Sequence, residues 1–249
     1  MKKEIAIKAA KEAGKILMKL YGNVKEEYKD NNFDVGSLVT EADIKSEKKI
    51  IEILGDKFPT HSIYSEERGM INKNSNYTWY VDPLDGTSNF SRNIPLFGIS
   101  IGLIRDNESI VGVLYFPALE LLVHAEKGKG AYANDKKIHV SKRNLEKSLY
   151  YSGGRFKGKF QIENRVAEKV GLTKIIDASS FEFAQIAMGD AELYLLQNFL
   201  HDVAAGVVIV NEAGGKVTDY KGNKWSPNSK YIVASNKTIH KEVVDILKK

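Results

Sequence analysis

The chain has 249 residues, 43% apolar and 28% charged, a globular composition that excludes disorder and a collagen-like rod. It has no Cys, which excludes a disulfide scaffold, a Cys-ligated zinc, an iron–sulfur cluster and a thiol nucleophile. The net charge of +5 rests mainly on Lys scattered along the chain, whereas nucleic-acid binders concentrate basic charge on one face, so nucleic acid is not an expected partner.

The N-terminus, Met1-Lys2-Lys3-Glu4, carries an early acid and no apolar core of the signal-peptide kind. No segment approaches the ~20 apolar residues that span a bilayer, so a cytoplasmic protein without a membrane anchor is expected. Ile5, Ala9, Ala13, Ile16, Leu17 and Leu20 make one helical stripe, predicting a helix from about Lys3 to Tyr21 that Gly22 stops. A polar stretch follows to about Leu38, with Lys29-Asp30-Asn31-Asn32, and reads as a mobile loop. A second helix is predicted from Glu41 to Lys57, with Ile44, Ile50, Ile51, Ile53 and Leu54 as its apolar set. Strands are expected at His61 to Tyr64 and Tyr77 to Val81, with an exposed loop at Gly69 to Asn76. From Phe97 to Val140, apolar residues alternate with small ones between tight turns, the pattern of an antiparallel run. Beyond Ser148, helices are expected at Ile162 to Val170, Phe181 to Met188, Val203 to Ala213 and Thr238 to Leu247. Strands are expected at Leu149 to Ser152, Glu192 to Leu195, Lys216 to Asp219 and Tyr231 to Ser235. The economical architecture is one unit, an α+β half over 1–147 packed on an α/β half over 148–249.

Two apparent motifs are set aside. Gly98-Ile99-Ser100-Ile101-Gly102 fits the nucleophile elbow of serine hydrolases, but that motif needs a helix after a sharp turn, and here the alternation runs on into Leu103-Ile104. Gly128-Lys129-Gly130-Ala131-Tyr132-Ala133 fits a dinucleotide fingerprint, yet Asn134-Asp135 follows, which is hairpin chemistry.

The informative segment is Trp79-Tyr80-Val81-Asp82-Pro83-Leu84-Asp85-Gly86-Thr87-Ser88-Asn89-Phe90. An apolar strand ends in two carboxylates three residues apart. Pro83 prevents simple continuation of the strand, and Gly86 permits a turn closed to other residues. Thr87 and Ser88 are N-cap types, so a helix should start there and aim the amides of Gly86, Thr87 and Ser88 at an anion. Converging carboxylates repel, and a divalent cation removes that repulsion; all-oxygen donors favour Mg²⁺, with the Leu84 carbonyl as a further ligand. Metal-binding acids beside an anion-binding helix start suit metal-assisted phosphoryl transfer to water. Three other sites stay open on the residues alone. Glu66 and Glu67, at a strand end, read equally as a metal ligand or as a surface pair. Asp43 completes the capping box Thr40-x-x-Asp43. Asp202 leads an all-apolar helix and reads equally as its N-cap or as a cleft acid.

Together, Val39-Thr40-Glu41-Ala42-Asp43, Ser65-Glu66-Glu67, Asp82-Pro83-Leu84-Asp85-Gly86-Thr87-Ser88-Asn89-Phe90, Asp202-Val203-Ala204-Ala205-Gly206, Glu212-Ala213-Gly214-Gly215 and the Gly128–Tyr132 hairpin resemble the inositol monophosphatase family, within the lithium-sensitive Mg²⁺-dependent sugar phosphatases. The pieces occur in the family's order and cover the chain. The resemblance implies a layered αβαβα sandwich, a homodimer, and two or three Mg²⁺ ions. Glu66, Asp82 and the Leu84 carbonyl would hold one ion, and Asp82, Asp85 and Asp202 a second, with a third near Glu66. Thr87, paired with Asp43, would activate the attacking water with help from Glu66, and the Gly86 and Thr87 amides would hold phosphate.

The sequence also departs from the family pattern. His201 stands where the family usually has Trp, and Leu196 where animal members have a Glu that binds inositol hydroxyls. Asp177-Ala178-Ser179-Ser180 replaces the usual Gly-Ser/Thr-Ala-Ala substrate loop, and the mobile-loop Lys has no match at Asn32, although Lys29 lies nearby. Arg92, Tyr151 and Arg155 are similar to residues of archaeal-type members that hydrolyse both inositol 1-phosphate and fructose 1,6-bisphosphate. Arg92 or Arg155 is therefore a candidate for a second phosphate, with Ser88, Ser179 and Asp202 as further substrate contacts. The expected activity is Mg²⁺-dependent hydrolysis of inositol 1-phosphate, fructose 1,6-bisphosphate or both. The alternatives are a nucleotide 3′-phosphatase and a regulatory relative that binds RNA or transcription machinery.

Overall fold

Small residues at helical spacing decide how the first layer forms. In the computed structural model, which describes residues 1–23, 27–28, 38–153 and 160–248, helix α1 (Lys2–Leu20) buries Ala6, Ala9, Ala10, Ala13 and Leu17. That smooth face lies against helix α2 (Glu41–Lys57). In sequence between the helices, strands β1 (Glu27–Tyr28) and β2 (Leu38–Val39) pair antiparallel. Lys29 and Asn32 lie outside the described residues. Ile44 does not belong to the buried face of α2: it is 51% exposed. The buried row is Ala42, Ser46, Ile50 and Leu54, and a residue two positions off an i, i+4 row points the other way.

The next layer is an eight-stranded sheet of β3 (Ser62–Ser65), β4 (Gly69–Ile71), β5 (Tyr77–Asp85), β6 (Gly98–Arg105), β7 (Glu108–Phe116), β8 (Leu121–Glu126), β9 (Ala131–Ala133) and β10 (Lys136–Lys137), with the short helix α3 (Thr87–Ser91) after β5. Its order is β10-β9-β8-β7-β6-β5-β3-β4. The expected antiparallel run is present from β5 to β10, and β3 pairs parallel to β5. The loop expected at Gly69 to Asn76 begins instead with β4, a three-residue edge strand with Met70 exposed; it pairs with β3 as a hairpin, and its shortness and the Asn- and Ser-rich stretch that follows hid it. Ser100 lies within β6 and the hairpin glycines turn between β8 and β9, so neither discarded motif forms its site. The Glu212 carboxylate accepts from the amides of Gly128 and Gly130, both at 2.8 Å.

The second half supplies a five-stranded sheet: β11 (Leu149–Ser152), β12 (Leu172–Lys174), β13 (Leu193–Gln197), β14 (Lys216–Asp219) and β15 (Tyr231–Ser235), ordered β12-β11-β13-β15-β14. Helices α5 (Ser179–Met188) and α6 (Leu200–Glu212) pack between the two sheets, while α4 (Phe160–Ala167) and α7 (His240–Leu247) pair on the outer side. The layers therefore run αβαβα. Three apolar clusters fill the gaps between them, the largest around α5 and α6. No helix among the described residues is long and apolar enough to cross a membrane.

Helix α6 is buried from Val203 to Val210, as its all-round apolar sequence predicts. It sits unusually close to the large sheet because Gly102 and Gly112 are direct cross-strand partners beneath it. A Cβ on Gly102 would lie 2.6 Å from the Ala205 nitrogen, and one on Gly112 would overlap the Ala205 carbonyl. Strand hydroxyls complete the seat: Ser100 donates to the His201 carbonyl at 3.1 Å and Ser109 to that of Ala204. Gly112→Ala should therefore lower unfolding stability by about 2 kcal/mol, within the range for overpacking a dense core. Urea titration of the two proteins reads this directly, and an unchanged midpoint would contradict the tight seat.

Candidate active site

Strand β5 carries the acidic motif to the edge of a cavity. It does not stop before Asp82, as expected from Pro83, but runs to Asp85 with a register shift between Asp82 and Asp85. Pro83 has no N–H to give a ladder, and a bulge is where a strand tolerates that loss. The Pro83 carbonyl is tied to α2 by the Ser46 hydroxyl at 2.8 Å, and the Leu84 amide donates to Asp82 Oδ1 at 3.0 Å. Gly86 then turns the chain with φ 82°; a Cβ there would meet the Leu96 carbonyl at 2.8 Å, so only glycine fits. Gly86, rather than Thr87 or Ser88, is the residue that precedes α3.

Other elements bring the remaining acids. Glu66 follows β3, and its amide donates to the Val81 carbonyl at 3.1 Å, which places it beside the end of β5. Asp202 is not the cap of α6: the helix begins at Leu200 with Phe199 before it, and Asp202 lies in the first turn. Carboxylate oxygens of Asp82, Asp85 and Asp202 lie within 4.8 Å of one another. Glu66 lines the same cavity of about 270 Å³ but is outside that close trio.

The electrostatics favour a cation. Asp82 is 3% exposed, and burial followed by the charges of Glu66, Asp85 and Asp202 holds its carboxyl well above the ordinary carboxylate range. Asp85 is pushed up to about 7 by burial and the charge of Asp202, against hydrogen bonds from Ser180. Among the described residues lining the cavity there are six acids (Glu66, Asp82, Asp85, Asp177, Glu182 and Asp202) and no Lys or Arg. A compact, all-oxygen donor set suits a hard divalent cation. The residues present therefore fit such an ion.

Asp43 serves two partners. It completes the capping box, accepting at Oδ2 from the Thr40 amide at 2.8 Å and the Thr40 hydroxyl at 2.7 Å. Its Oδ1 lies 3.2 Å from the Thr87 hydroxyl, which also reaches the Leu84 carbonyl at 2.9 Å. Burial drives the Asp43 carboxyl up to about 7 despite the Thr40 bonds. The capping reading and the Thr87 pairing implied by the resemblance thus coexist on one side chain.

Among the expected substrate contacts, Gly86, Thr87, Ser88, Ser179 and Asp202 line the cavity. Arg92 does not: its guanidinium donates back to the Ser88 carbonyl at 2.9 Å. Arg155 lies outside the described residues. Ser179 supports the site from behind, its amide donating to Asp85 Oδ1 at 3.0 Å and its hydroxyl pairing with Tyr194 at 3.0 Å. Sequence reasoning missed two contributions, from Ser180 and Glu182. Ser180 binds Asp85 Oδ2 through both its amide, at 2.6 Å, and its hydroxyl. Glu182 is buried and pushed up to about 8 by desolvation, against a hydrogen bond from Tyr194. An acid inside the apolar run Phe181-Glu182-Phe183 was the available signal.

The model of the inositol monophosphatase family matches residues 3–249. The chain belongs to that family. This family member is 36% identical to the inositol-1-monophosphatase of Caulobacter vibrioides, across 97% of the chain and 99% of that protein. It is 34% identical to a fructose-1,6-bisphosphatase/inositol-1-monophosphatase of Thermotoga maritima, over 98% and 94% of the two chains. Among solved structures it superimposes on the extragenic suppressor protein suhB of Bartonella henselae with a TM-score of 0.90, at 33% identity over 99% and 98% of the chains. The αβαβα layering is thus the family's fold, and the chain is a phosphomonoester hydrolase of a metal-dependent family.

Proposed function

We propose that this protein is a Mg²⁺-dependent phosphatase that hydrolyses inositol 1-phosphate, fructose 1,6-bisphosphate or both by direct attack of water. The observation that carries the reading is the Asp82–Asp85–Asp202 trio, two of its acids buried and Asp202 partly so, beside the Thr87–Asp43 pair at the start of α3. Glu66, Asp82 and the Leu84 carbonyl would hold one ion, Asp82, Asp85 and Asp202 would hold a second, and a third would sit near Glu66. Magnesium, when bound, neutralises the phosphate and acidifies the attacking water. The Thr87 hydroxyl orients that water. Asp43, with a carboxyl near 7, takes up the proton that leaves it. The Gly86 and Thr87 amides bind the phosphate oxygens, where the first turn of α3 leaves N–H groups without helical partners. The resemblance further supports a homodimer working in the cytoplasm.

Phosphate release from inositol 1-phosphate, fructose 1,6-bisphosphate and a nucleoside 3′-phosphate, with saturating Mg²⁺ and with chelator, tests the reading. Turnover of either of the first two that chelator abolishes is expected. Hydrolysis of the nucleotide alone would move the assignment to the 3′-phosphatase alternative, and no hydrolysis of any ester would end it.

A further inference from the structure

Glu182 stands in the first turn of α5 between Phe181 and Phe183, only 1% exposed, and lines the catalytic cavity without being one of the acids assigned to a cation. A carboxyl withdrawn from water is costly unless it is hydrogen-bonded, so its bonds show what it holds. Its Oε1 accepts from the Ile176 amide at 3.2 Å. Its carboxylate also accepts from the Tyr194 hydroxyl. A tyrosine has a single hydroxyl proton. With that proton given to Glu182, the Tyr194 oxygen is left to accept from the Ser179 hydroxyl, 3.0 Å away. Both arms therefore end on the stretch 176–179, one directly and one by way of β13. That stretch includes Asp177 at φ 62°, a backbone conformation that a non-glycine residue keeps only where its surroundings hold it. The Ile176 carbonyl is anchored as well, by Asn89 Nδ2 at 3.0 Å.

What this stretch delivers is the grip on Asp85. The Ser179 amide donates to Asp85 Oδ1 at 3.0 Å and the Ser180 amide to Oδ2 at 2.6 Å. N–H groups at the start of α5, which have no helical partner of their own, thus take one carboxylate oxygen each and fix how the group is turned. Where those amides stand depends on where α5 begins, and the bonds of Glu182 fix that start. Outer hydrogen bonds of this kind orient the groups that bind a metal. We propose that Glu182 is a positioning residue for the Asp82–Asp85–Asp202 site: through Ile176, Tyr194 and Ser179 it holds the amides that orient Asp85, and so sets how tightly that site takes a divalent cation. This rests on the metal-dependent phosphatase reading above and names a residue outside its ligand set.

The test compares wild type with Glu182→Leu, Glu182→Gln and Tyr194→Phe. Calorimetric titration of the metal-free proteins with Mg²⁺ reads affinity, and melting temperatures with chelator are recorded alongside. Glu182→Leu and Tyr194→Phe break the network and should each weaken Mg²⁺ binding about tenfold or more, the scale for removing an outer partner of a metal ligand. Gln can still accept from the Ile176 amide and can donate to the Tyr194 oxygen, which turns the relay round without breaking it. Glu182→Gln should therefore stay within about threefold of wild type, well short of the outer-partner loss. A changed melting temperature with unchanged Mg²⁺ affinity in Glu182→Leu and Tyr194→Phe would make the network structural and overturn the proposal. Glu182→Gln as weak as Glu182→Leu would assign the effect to charge rather than position, and would overturn it too. If Glu182→Leu does not fold, Tyr194→Phe and Glu182→Gln decide the matter. Wild type that binds Mg²⁺ but hydrolyses no phosphate ester would overturn the phosphatase reading and leave this inference to the titration; wild type that binds no Mg²⁺ would overturn both.

Discussion

Asp82→Asn should reduce phosphate release at saturating Mg²⁺ by about a thousandfold, the scale seen when one preorganised electrostatic group is removed from an active site. Asp82 belongs to both proposed ion sites, is 3% exposed, and has its orientation set by the Leu84 amide at Oδ1. Asn keeps that acceptor and the side-chain volume while removing the charge. The far-UV spectrum should therefore match wild type, and the metal-free variant should be no less stable, since one of several repelling carboxylates is gone. Loss of activity together with a large drop in melting temperature would indicate a folding defect. Retained activity would show that the trio does not do the chemistry.

Without a divalent cation, the protein should be less stable at pH 8 than at pH 5.5, and Mg²⁺ should abolish most of that difference. Asp43 and Asp85 have an ordinary carboxyl value of 3.8 and are raised to about 7 in the folded chain, Asp82 being raised as well. Between pH 4 and 7 the unfolded chain has already lost these protons while the folded chain retains them. The folded state then binds more protons, so stability falls as pH rises through that window, and Glu182, raised to about 8, carries the fall somewhat beyond it. Raised carboxyls at two sites imply a few kcal/mol, or roughly 5–10 °C in melting temperature for a chain of this size. A cation bound among the carboxylates stabilises the ionised folded form and restores the loss at pH 8 by mass action. Thermal melts at pH 5.5 and 8, with chelator and with millimolar Mg²⁺, measure both effects. A chelated melting temperature that is flat or rising from pH 5.5 to 8 would contradict the electrostatics of the trio.

Local chemistry was legible from the residues. The Asp82–Phe90 motif declared its turn because Pro83 and Gly86 constrain the backbone wherever they occur, and the apolar alternation of 97–140 could only be an antiparallel run. The capping box at Thr40 was equally plain. What stayed hidden depends on partners far along the chain. Asp43 meets Thr87 across 44 residues, and Asp85 is held by Ser179 and Ser180 from more than 90 residues away. Spacing within a segment carries no information about such meetings: from the residues alone Asp43 read first as a cap, its pairing with Thr87 came only from the family resemblance, and Ser180 appeared only as part of a departing loop with no role at Asp85. Asp202 was left open between a cap and a cleft acid, and the helix start at Leu200 decides it: the acid lies in the first turn of α6 and lines the cavity. Strand β4 was missed because three residues on a sheet edge, Gly69 to Ile71, owe their form to pairing with β3 rather than to their own propensity.

The glycine pair beneath α6 reaches further than the stability of the core. Asp202 rides on that helix, while Asp82 and Asp85 belong to the sheet on which it rests. The gap between helix and sheet is therefore also a dimension of the acidic cluster that would hold the ion. Oxygen donors hold magnesium within a few tenths of an ångström, whereas calcium and manganese accept longer bonds. With the ion held as proposed, residues buried well away from the cavity would act as a calliper on it, and metal preference could be retuned without changing any acid in the site.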